Sequence, residues 1–465
     1  MKRFLFIGAP FDYASGSFVR TARILPTLAG MVREKTGMEV VLHVPANSIR
    51  YVATTLALSE GLPAAYETTR GVVEKALRSM KSAGIQVETQ TVEASTSDVI
   101  SSIMHNEKLY AHGSLFRRLL AFGRIHSGLI EKHERPSIDA LTKGLADGAE
   151  ACTAYSCEGE LESLYILRGV ARKMPVSSMV MLQSEPYQSR ALHLGSMAKG
   201  ISCMQFDSRA RELFEGLMAN GSVKQVLSVS PAPLQLSGLT AVARRRGVGL
   251  GIPYPANGLD PEVTRARKVS GKGPTAVYFG RLTIEKGALD LLRVWKVVNR
   301  LQSDASLKII GAFESEGQRK TFFALQRSLG LKNIEFLGLQ QDRRELFKEV
   351  AESRVMLYPS YHDAYPLVVL ESVGLGLAVA GYSTPALDYL CKGLPTVSLA
   401  LPGDVADLGA RVVSLLTMDD GKFRENQESP EVARFLDTHT WSNVAAAEMP
   451  FLERLAGPSS RRPSR

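Results

Sequence analysis

Cysteine is scarce in this chain: Cys152, Cys157, Cys203 and Cys391 are the only four in 465 residues. That is too few for a disulfide framework at this length, and their spacing fits no metal-ligand pattern, so cross-links and a structural zinc are excluded and a reducing cytoplasmic setting is expected. Long apolar runs are missing as well. Arg, Lys, Glu or Asp interrupts every hydrophobic stretch long enough to suggest a membrane span, which excludes a spanning helix. The opening MKRFLFIGAPF places two basic residues before an apolar run, but the run is short and Asp12 follows it, so it reads as a first buried strand and not as a leader. No repeat of solenoid period is visible. No G-x-G-x-x-G follows the first strand, which argues against a dinucleotide-dependent dehydrogenase.

What is present is an ordinary soluble α/β balance, with 45% hydrophobic and 22% charged residues, in a chain long enough for two domains. The net charge of +9 and pI near 9.3 favour anionic partners: sugar nucleotides, phosphorylated lipids, an acidic membrane surface or nucleic acid. Nothing besides charge points to nucleic acid, and it is not expected as a partner.

Residues 3–8 form a short apolar strand, followed by a loop with Asp12, Ser15, Gly16 and Ser17 and a helical stretch over 18–33. Strand, small-residue loop and helix open a nucleotide-binding type of fold. Further strands are expected at 40–44, 85–91, 151–156, 178–183, 202–206 and 225–229, with helices over 64–82 and 159–173, the alternation that parallel sheets require. Residues 105–135 interleave Leu115, Phe116, Leu119, Leu120 and Phe122 with Arg117, Arg118, Arg124 and Lys132. They read as a surface helix packed on the sheet, with an acidic membrane or lipid-linked acceptor as the second reading. His105, His112, His126 and His133 lack carboxylates in a ligand pattern and are expected to face solvent. Arg244, Arg245 and Arg246 read as a solvated face, and the Gly- and Pro-rich 247–258 as a domain junction. A second alternation follows, with strands at 275–279, 307–310, 334–337 and 355–358 and helices over 288–301, 318–329 and 343–352. The closing GPSSRRPSR, 457–465, is a basic tail expected to be disordered.

Two clusters in the second half carry chemistry. GRLTIEKG at 280–287 puts Arg281 and Lys286 directly behind the strand 275–279, at the edge where open α/β sheets bind ligands. Gly280 and Gly287 allow backbone to approach an anion closely, and the helix after Gly287 offers free N–H groups and a favourable dipole. The second cluster, PSYHDAYPLVVLE at 359–371, holds Asp363 on a loop and Glu371, with seven residues between them, inside an apolar helix. A carboxylate there is costly to bury unless it accepts hydrogen bonds. The two hydroxyls of a ribose would supply them, and so would a neighbouring base.

In kind and in order, these pieces resemble the retaining glycosyltransferases of family 4. Ala256-Asn257-Gly258-Leu259-Asp260 is similar to the family's interdomain Asn-Gly-Val-Asp turn, and 280–287 to its phosphate loop. Ile309-Ile310-Gly311, IEFLG at 334–338, Pro359-Ser360 with the paired carboxylates, and Thr440-Trp441-Ser442 follow in the family's order. The resemblance implies an α/β fold of GT-B architecture: two facing Rossmann-like domains with a cleft between them. The acceptor-side domain would span 1–250, the nucleotide-sugar-binding domain 251–440, and a helix over 441–456 would cross back to the first.

The implied activity is retaining transfer of a hexose from a GDP- or UDP-linked sugar to a glycan, glycolipid or polyprenyl-linked acceptor, with no cofactor and no metal. The lack of any Asp-x-Asp agrees, because that is the usual metal-binding device of the other large glycosyltransferase fold. Arg281, Lys286, Asp363 and Glu371 would be catalytic. Arg281 and Lys286 would stabilise the diphosphate leaving group, Glu371 would hold the donor ribose, and Asp363 would contact hydroxyls of the transferred sugar. Gly280, Gly338, Ala364, Tyr365, Pro366 and Leu367 would line the donor, with Gly16 and Ser17 approaching from the first domain. Asp12, Arg20 and Glu185 are the candidate acceptor contacts. The implied location is cytoplasmic, with peripheral contact to an anionic membrane through the basic segment.

The chain also departs from the family pattern. Asp363 replaces the usual Glu, Tyr365-Pro366 replaces Phe-Gly, and Gly376-Leu377-Ala378-Val379 lacks the common proline. Ser383-Thr384-Pro385 lacks a later glycine pair, and Gln183-Ser184-Glu185-Pro186 stands where many members carry a His. Two alternatives follow: a glycosyltransferase-like subunit that binds sugar nucleotides without chemistry, and a GT-B sugar-nucleotide epimerase.

Overall fold

Short apolar runs separated by amphipathic helices build two sheets whose strand pairs are all parallel. The computed structural model describes residues 3–7, 16–44, 78–82, 84–89, 139, 151–157, 161–184, 211–313, 316–340 and 342–456. In the first sheet, β1 (Arg3–Ile7), β2 (Glu39–Val44), β3 (Gln86–Thr89), β4 (Cys152–Ser156), β5 (Val176–Leu182), β6 (Val223–Ser228) and β7 (Gly249–Gly251) stand in the order β3-β2-β1-β4-β5-β6-β7. In the second, β8 (Thr275–Phe279), β9 (Ser306–Ile310), β10 (Ile334–Gly338), β11 (Val355–Tyr358), β12 (Ala378–Tyr382) and β13 (Val397–Ala400) stand in the order β10-β9-β8-β11-β12-β13. Phe4 to Ile7 and the whole of β12 are buried, as strands covered by helices on both faces must be.

Both sheets start in the middle and grow first one way, then the other. Each therefore has a topological switch point, between β1 and β4 and between β8 and β11, where loops diverge and leave a crevice at the carboxyl edge. Right-handed crossovers put the helices Ala288–Leu301 and Glu316–Ser328 on one face of the second sheet and Arg343–Ala351 and Leu367–Gly374 on the other. Leu291, Leu292, Val294, Trp295 and Val298 form the buried stripe of Ala288–Leu301. The helix Val405–Leu416 crosses it closely, because a Cβ on Gly409 would lie 2.6 Å from Val297.

By packing, the chain divides into two units. The first takes the described residues up to Val229, Pro233–Ala256, and those from Val444 onward; the second takes Ser230–Ala232 and Asn257–Asn443. The passage 247–258, read from composition as a junction, corrects in one respect: Gly249–Gly251 pairs with Gln225–Leu227 and is the last strand of the first sheet. Glycines hid it, since GLG has no side-chain alternation to read. Arg244, Arg245 and Arg246 are exposed, closing a helix capped by Gly247. The two segments that join the units lie side by side within the second. Leu259 N donates to His439 O at 2.8 Å, and Trp441 Nε1 to Asp260 Oδ1 at 2.9 Å.

Among the described residues, no helix is long and apolar enough to cross a membrane. Cys152, Cys157 and Cys391 are buried free thiols. Asp12, Glu185, Cys203, the segment 105–135 with its four histidines, the strand at 202–206 and the tail 457–465 lie outside the described residues.

Candidate functional site

Lys286 and Asp363 meet at the switch point of the second sheet. Lys286 ends the loop behind β8; Asp363 sits on the loop behind β11. Nζ of Lys286 donates to Asp363 Oδ2 and to the carbonyl of His362, both at 2.8 Å. An ammonium has three donors, so among the described residues one takes no partner. Asp363 also accepts from the phenol of Tyr358 on Oδ2 and from Tyr365 N on Oδ1 at 3.3 Å. Burial works to raise the Asp363 carboxyl, but Lys286 and these hydrogen bonds outweigh it and hold the group below the ordinary carboxylate value. Burial and the Asp363 charge raise the Tyr358 phenol well above its ordinary value, so it stays a donor.

Two glycines make this meeting possible. Gly287 has φ 71°, and a Cβ there would lie 1.9 Å from the carbonyl oxygen of Pro359; a Cβ on Gly311 would lie 1.9 Å from that of Gly280. The loops behind β8, β9 and β11 therefore touch backbone to backbone, an approach no side chain allows. Gly287 also caps the helix Ala288–Leu301, whose first N–H, that of Ala288, donates to the Thr283 carbonyl at 3.1 Å.

Arg281 differs from Lys286. Its side chain is 52% exposed, its nearest ion partner is Glu285 at 3.6 Å, and its carbonyl accepts from Tyr278 OH at 2.5 Å. Lys286 and Arg281 are not tied to each other, but the Tyr278 phenol feels Arg281, Asp363 and Glu285 together, which sets all three around one buried ring.

Glu371 lies in the second turn of the helix Leu367–Gly374, 13% exposed. Its Oε1 accepts from Arg343 Nη2 at 2.6 Å, and among the described residues its Oε2 takes no hydrogen bond. Burial lifts its carboxyl above the ordinary value, Arg343 offsets part of that, and Asp260 adds to the rise. Arg343 was not legible beforehand as a site residue. It opens the helix that returns the chain from β10 to β11, and the crossover lays that helix beside Leu367–Gly374. Tyr358 and Tyr278 were missed as well; as aromatic residues inside strands they read simply as core.

The other expected positions take varied places. Gly280 and Gly338 end β8 and β10 at the same carboxyl edge. The Ala364 carbonyl accepts from Ser230 Oγ at 2.6 Å, the Tyr365 ring is buried, and Pro366 and Leu367 begin the helix that carries Glu371. Gly16 and Ser17 are the first residues of the helix Gly16–Thr36 in the first unit, where a loop was expected. Arg20 is 1% exposed and is held by Glu448 and, through Nε at 2.7 Å, by the carbonyl of Ala256. That is the geometry of an internal tie and not of an open contact surface. Among the described residues, no group of three or more His, Cys, Asp or Glu is gathered in a way that could hold a metal ion.

Comparison with known proteins shows what the second half of the chain is similar to. Residues 261–429 match the model described as glycosyl transferases group 1. The match covers β8 to β13 and every charged residue of the switch point. The group 1 domain has relatives at moderate identity. The chain is 28% identical over 179 residues to a glycogen synthase of Mycobacterium tuberculosis, covering 38% of this chain and 41% of that one. It is 29% identical over 120 residues to an uncharacterized glycosyltransferase of Haemophilus influenzae, covering 25% and 32%. The chain thus spans about two fifths or less of the curated relatives it matches. Solved structures share the fold over nearly the full length. Sucrose-phosphate synthase from Thermosynechococcus elongatus matches with TM-score 0.58 at 14% identity over 98% of both chains. HepE of Anabaena, solved in complex with UDP, matches with TM-score 0.57 at 13% identity over 97% of this chain and 99% of that one. The α/β GT-B fold is what the group 1 domain and the Rossmann-ordered sheet before it share with these proteins.

Proposed function

We propose that the chain is a retaining glycosyltransferase that moves a hexose from a UDP- or GDP-linked donor to a glycan or lipid-linked acceptor. The observation that carries this reading is the switch point of the group 1 domain. There Lys286 keeps one ammonium donor beside Asp363, behind a glycine-capped helix N-terminus, with Glu371 on the neighbouring helix. In the reaction, the bond from the sugar C1 to the β-phosphate oxygen breaks and negative charge grows on that oxygen. In this reading Lys286 and Arg281 stabilise that charge, helped by the dipole of the helix Ala288–Leu301. The acceptor hydroxyl attacks C1 on the face the diphosphate leaves, and its proton passes to the leaving phosphate oxygen. Glu371 holds the ribose and Asp363 the hydroxyls of the sugar. HepE, solved with UDP and with UDP and glucose, supports a uridine donor through the shared fold. No metal is assigned a role. Cytoplasmic placement with peripheral contact to an anionic membrane belongs to the same reading.

A thermal-shift screen of sugar nucleotides tests it. A donor present at about 100 times its dissociation constant stabilises by about 2.7 kcal/mol, which registers as a clear rise in melting temperature. Donor turnover with retention, lost in Lys286→Met, is the expected result. Binding without any transfer or hydrolysis would favour the non-catalytic subunit. Interconversion of the sugar nucleotide without transfer would favour the epimerase.

A further inference from the structure

Arg343 touches neither the diphosphate loop nor the transferred-sugar loop, yet it is the only cation paired with Glu371 among the described residues. Its guanidinium lies over the Phe347 ring, 4.9 Å from the centroid, with Nη2 2.6 Å from Glu371 Oε1 and 3.7 Å from Asp260 Oδ2. Asp260 is fixed in turn by Trp441 Nε1 at 2.9 Å. The carboxylate of Glu371 is therefore gripped through one oxygen by a fork that is itself stacked and braced, which leaves the other oxygen on offer. We infer that Arg343 is a positioning residue for the donor: it holds Glu371 by Oε1, turned so that Oε2 receives the ribose hydroxyls. This rests on the glycosyltransferase reading, since it needs a ribose at Glu371.

The charged groups around Glu371 give the inference its signature. From the segment before Pro261–Arg265 comes Asp260, from that helix Glu262, and from the helix Arg343–Ala351 come Arg343 and Arg344; Arg344 faces Glu262 at 3.6 Å. With Arg343 gone, Glu371 keeps its burial and the nearby Asp260 charge and loses its only paired cation. Both remaining influences favour protonation, so a carboxylate that accepts two hydroxyls is neutralised at a higher pH than in the parent. Charge-assisted hydrogen bonds are about twice as strong as neutral ones, so donor binding should weaken as the acid forms.

The test titrates the full-length chain with UDP and with GDP between pH 6 and pH 8.5, comparing the parent with Arg343→Met, Arg343→Lys, Glu371→Gln and the double variant. Folding is checked by the melting temperature. Arg343→Met should bind about tenfold more weakly at the acid end and recover towards the alkaline end, while the parent stays nearly flat. Arg343→Lys should restore much of the binding and most of the flatness. The double variant should bind no worse than Glu371→Gln and show no such pH dependence. If Glu371→Gln weakens binding but Arg343→Met binds like the parent at every pH, or if the two losses add fully, the role given to Arg343 is wrong and the donor reading stands. If neither nucleotide binds the parent, or Glu371→Gln binds as well as the parent, the ribose assignment fails and Arg343 fails with it. Should Arg343→Met not fold, Arg343→Gln takes its place: weakening that is largest at the acid end supports the role, and parent-like binding or a loss equal at every pH overturns it.

Discussion

In the first unit, the helix behind β1 and the strand β4 meet over Arg20 and Glu448, 1% and 0% exposed, with Tyr155 OH closing on the second Glu448 oxygen at 2.8 Å. In the second, the loops behind β8 and β11 meet over Lys286 and Asp363, 15% and 19% exposed. The two sheets share one strand order and one crevice position, and both place a cation against a carboxylate there. They differ in what covers the pair. Glu448 belongs to the C-terminal helix Trp441–Ala456, which fills the place beside β4 with its own side chains and makes the ion pair a fastening. Among the described residues nothing comparable covers Lys286, whose third donor takes no partner there. A strand order supplies a site for charge; burial decides whether that charge holds the fold or meets a substrate.

Breaking the fastening should have the largest effect. Glu448→Ala takes from Arg20 its carboxylate partner while the Ala256 carbonyl remains, and removing one partner of a buried ion pair costs about 3–5 kcal/mol. Urea unfolding should show that loss in the first unit. Nucleotide binding by the folded variant should survive, and its disappearance would mean that the two switch points do not act separately. Lys286→Met probes the other side. Loss of one preorganised donor to a growing negative charge costs about 2.7–4 kcal/mol of activation free energy, a fall in turnover of about a hundredfold or more. Arg281→Ala should lower turnover similarly while leaving the melting temperature in place, because its side chain is 52% exposed. Unchanged turnover in both variants with an established donor would remove the leaving-group role.

The parts of this contrast legible in the sequence were those written in consecutive residues. The two βα alternations, the glycine-flanked loop at 280–287 and the carboxylates at 363 and 371 depend on local pattern, and the structure brings the loops of Lys286 and Asp363 together at one edge. Pairings set by crossover geometry were not legible. Arg343 precedes Glu371 by 28 positions, and Arg20 precedes Glu448 by 428; no spacing rule spans either gap. Arg20 read as an open contact because a basic residue two turns into a nucleotide-type helix usually faces the crevice; what occupies that crevice comes from the other end of the chain. β7 was lost for a different reason, since two of its three residues are glycine.

A third region sharpens the rule, because it shows buried charge without a fastening partner. Lys272 lies just before β8, at the edge of the second sheet away from the candidate site. It is 8% exposed and, among the described residues, bonds only the Gly376 carbonyl, at 2.9 Å. Burial first, then repulsion from Arg267, Lys268 and Arg354 against a partial offset from Glu352, brings its ammonium from 10.5 down to about 7. The unfolded chain then holds that proton more tightly than the folded one, so stability should rise with pH from about 7 towards 10.5. The slope from one such group reaches at most about 1.4 kcal/mol per pH unit. Lys272→Met should flatten the rise in urea midpoints over pH 7 to 9.5 and raise the midpoint at neutral pH; an unchanged slope would show that the lysine stays charged in the fold.

The smallest effect is expected one residue from the proposed positioning arginine. Arg344 is 70% exposed and faces Glu262 at 3.6 Å, whereas Arg343 is wedged against Glu371 and Phe347. Ion pairs in the solvent contribute about 0–1 kcal/mol, so Arg344→Ala should move stability by no more than about 0.5 kcal/mol and leave UDP and GDP binding flat with pH. Two neighbouring arginines on one helix thus form an internal control for the comparison. If Arg344→Ala disturbed nucleotide binding as Arg343→Met is expected to, the general positive charge of that helix end would be the active quantity, and the pairing of one guanidinium with Glu371 would no longer explain the difference.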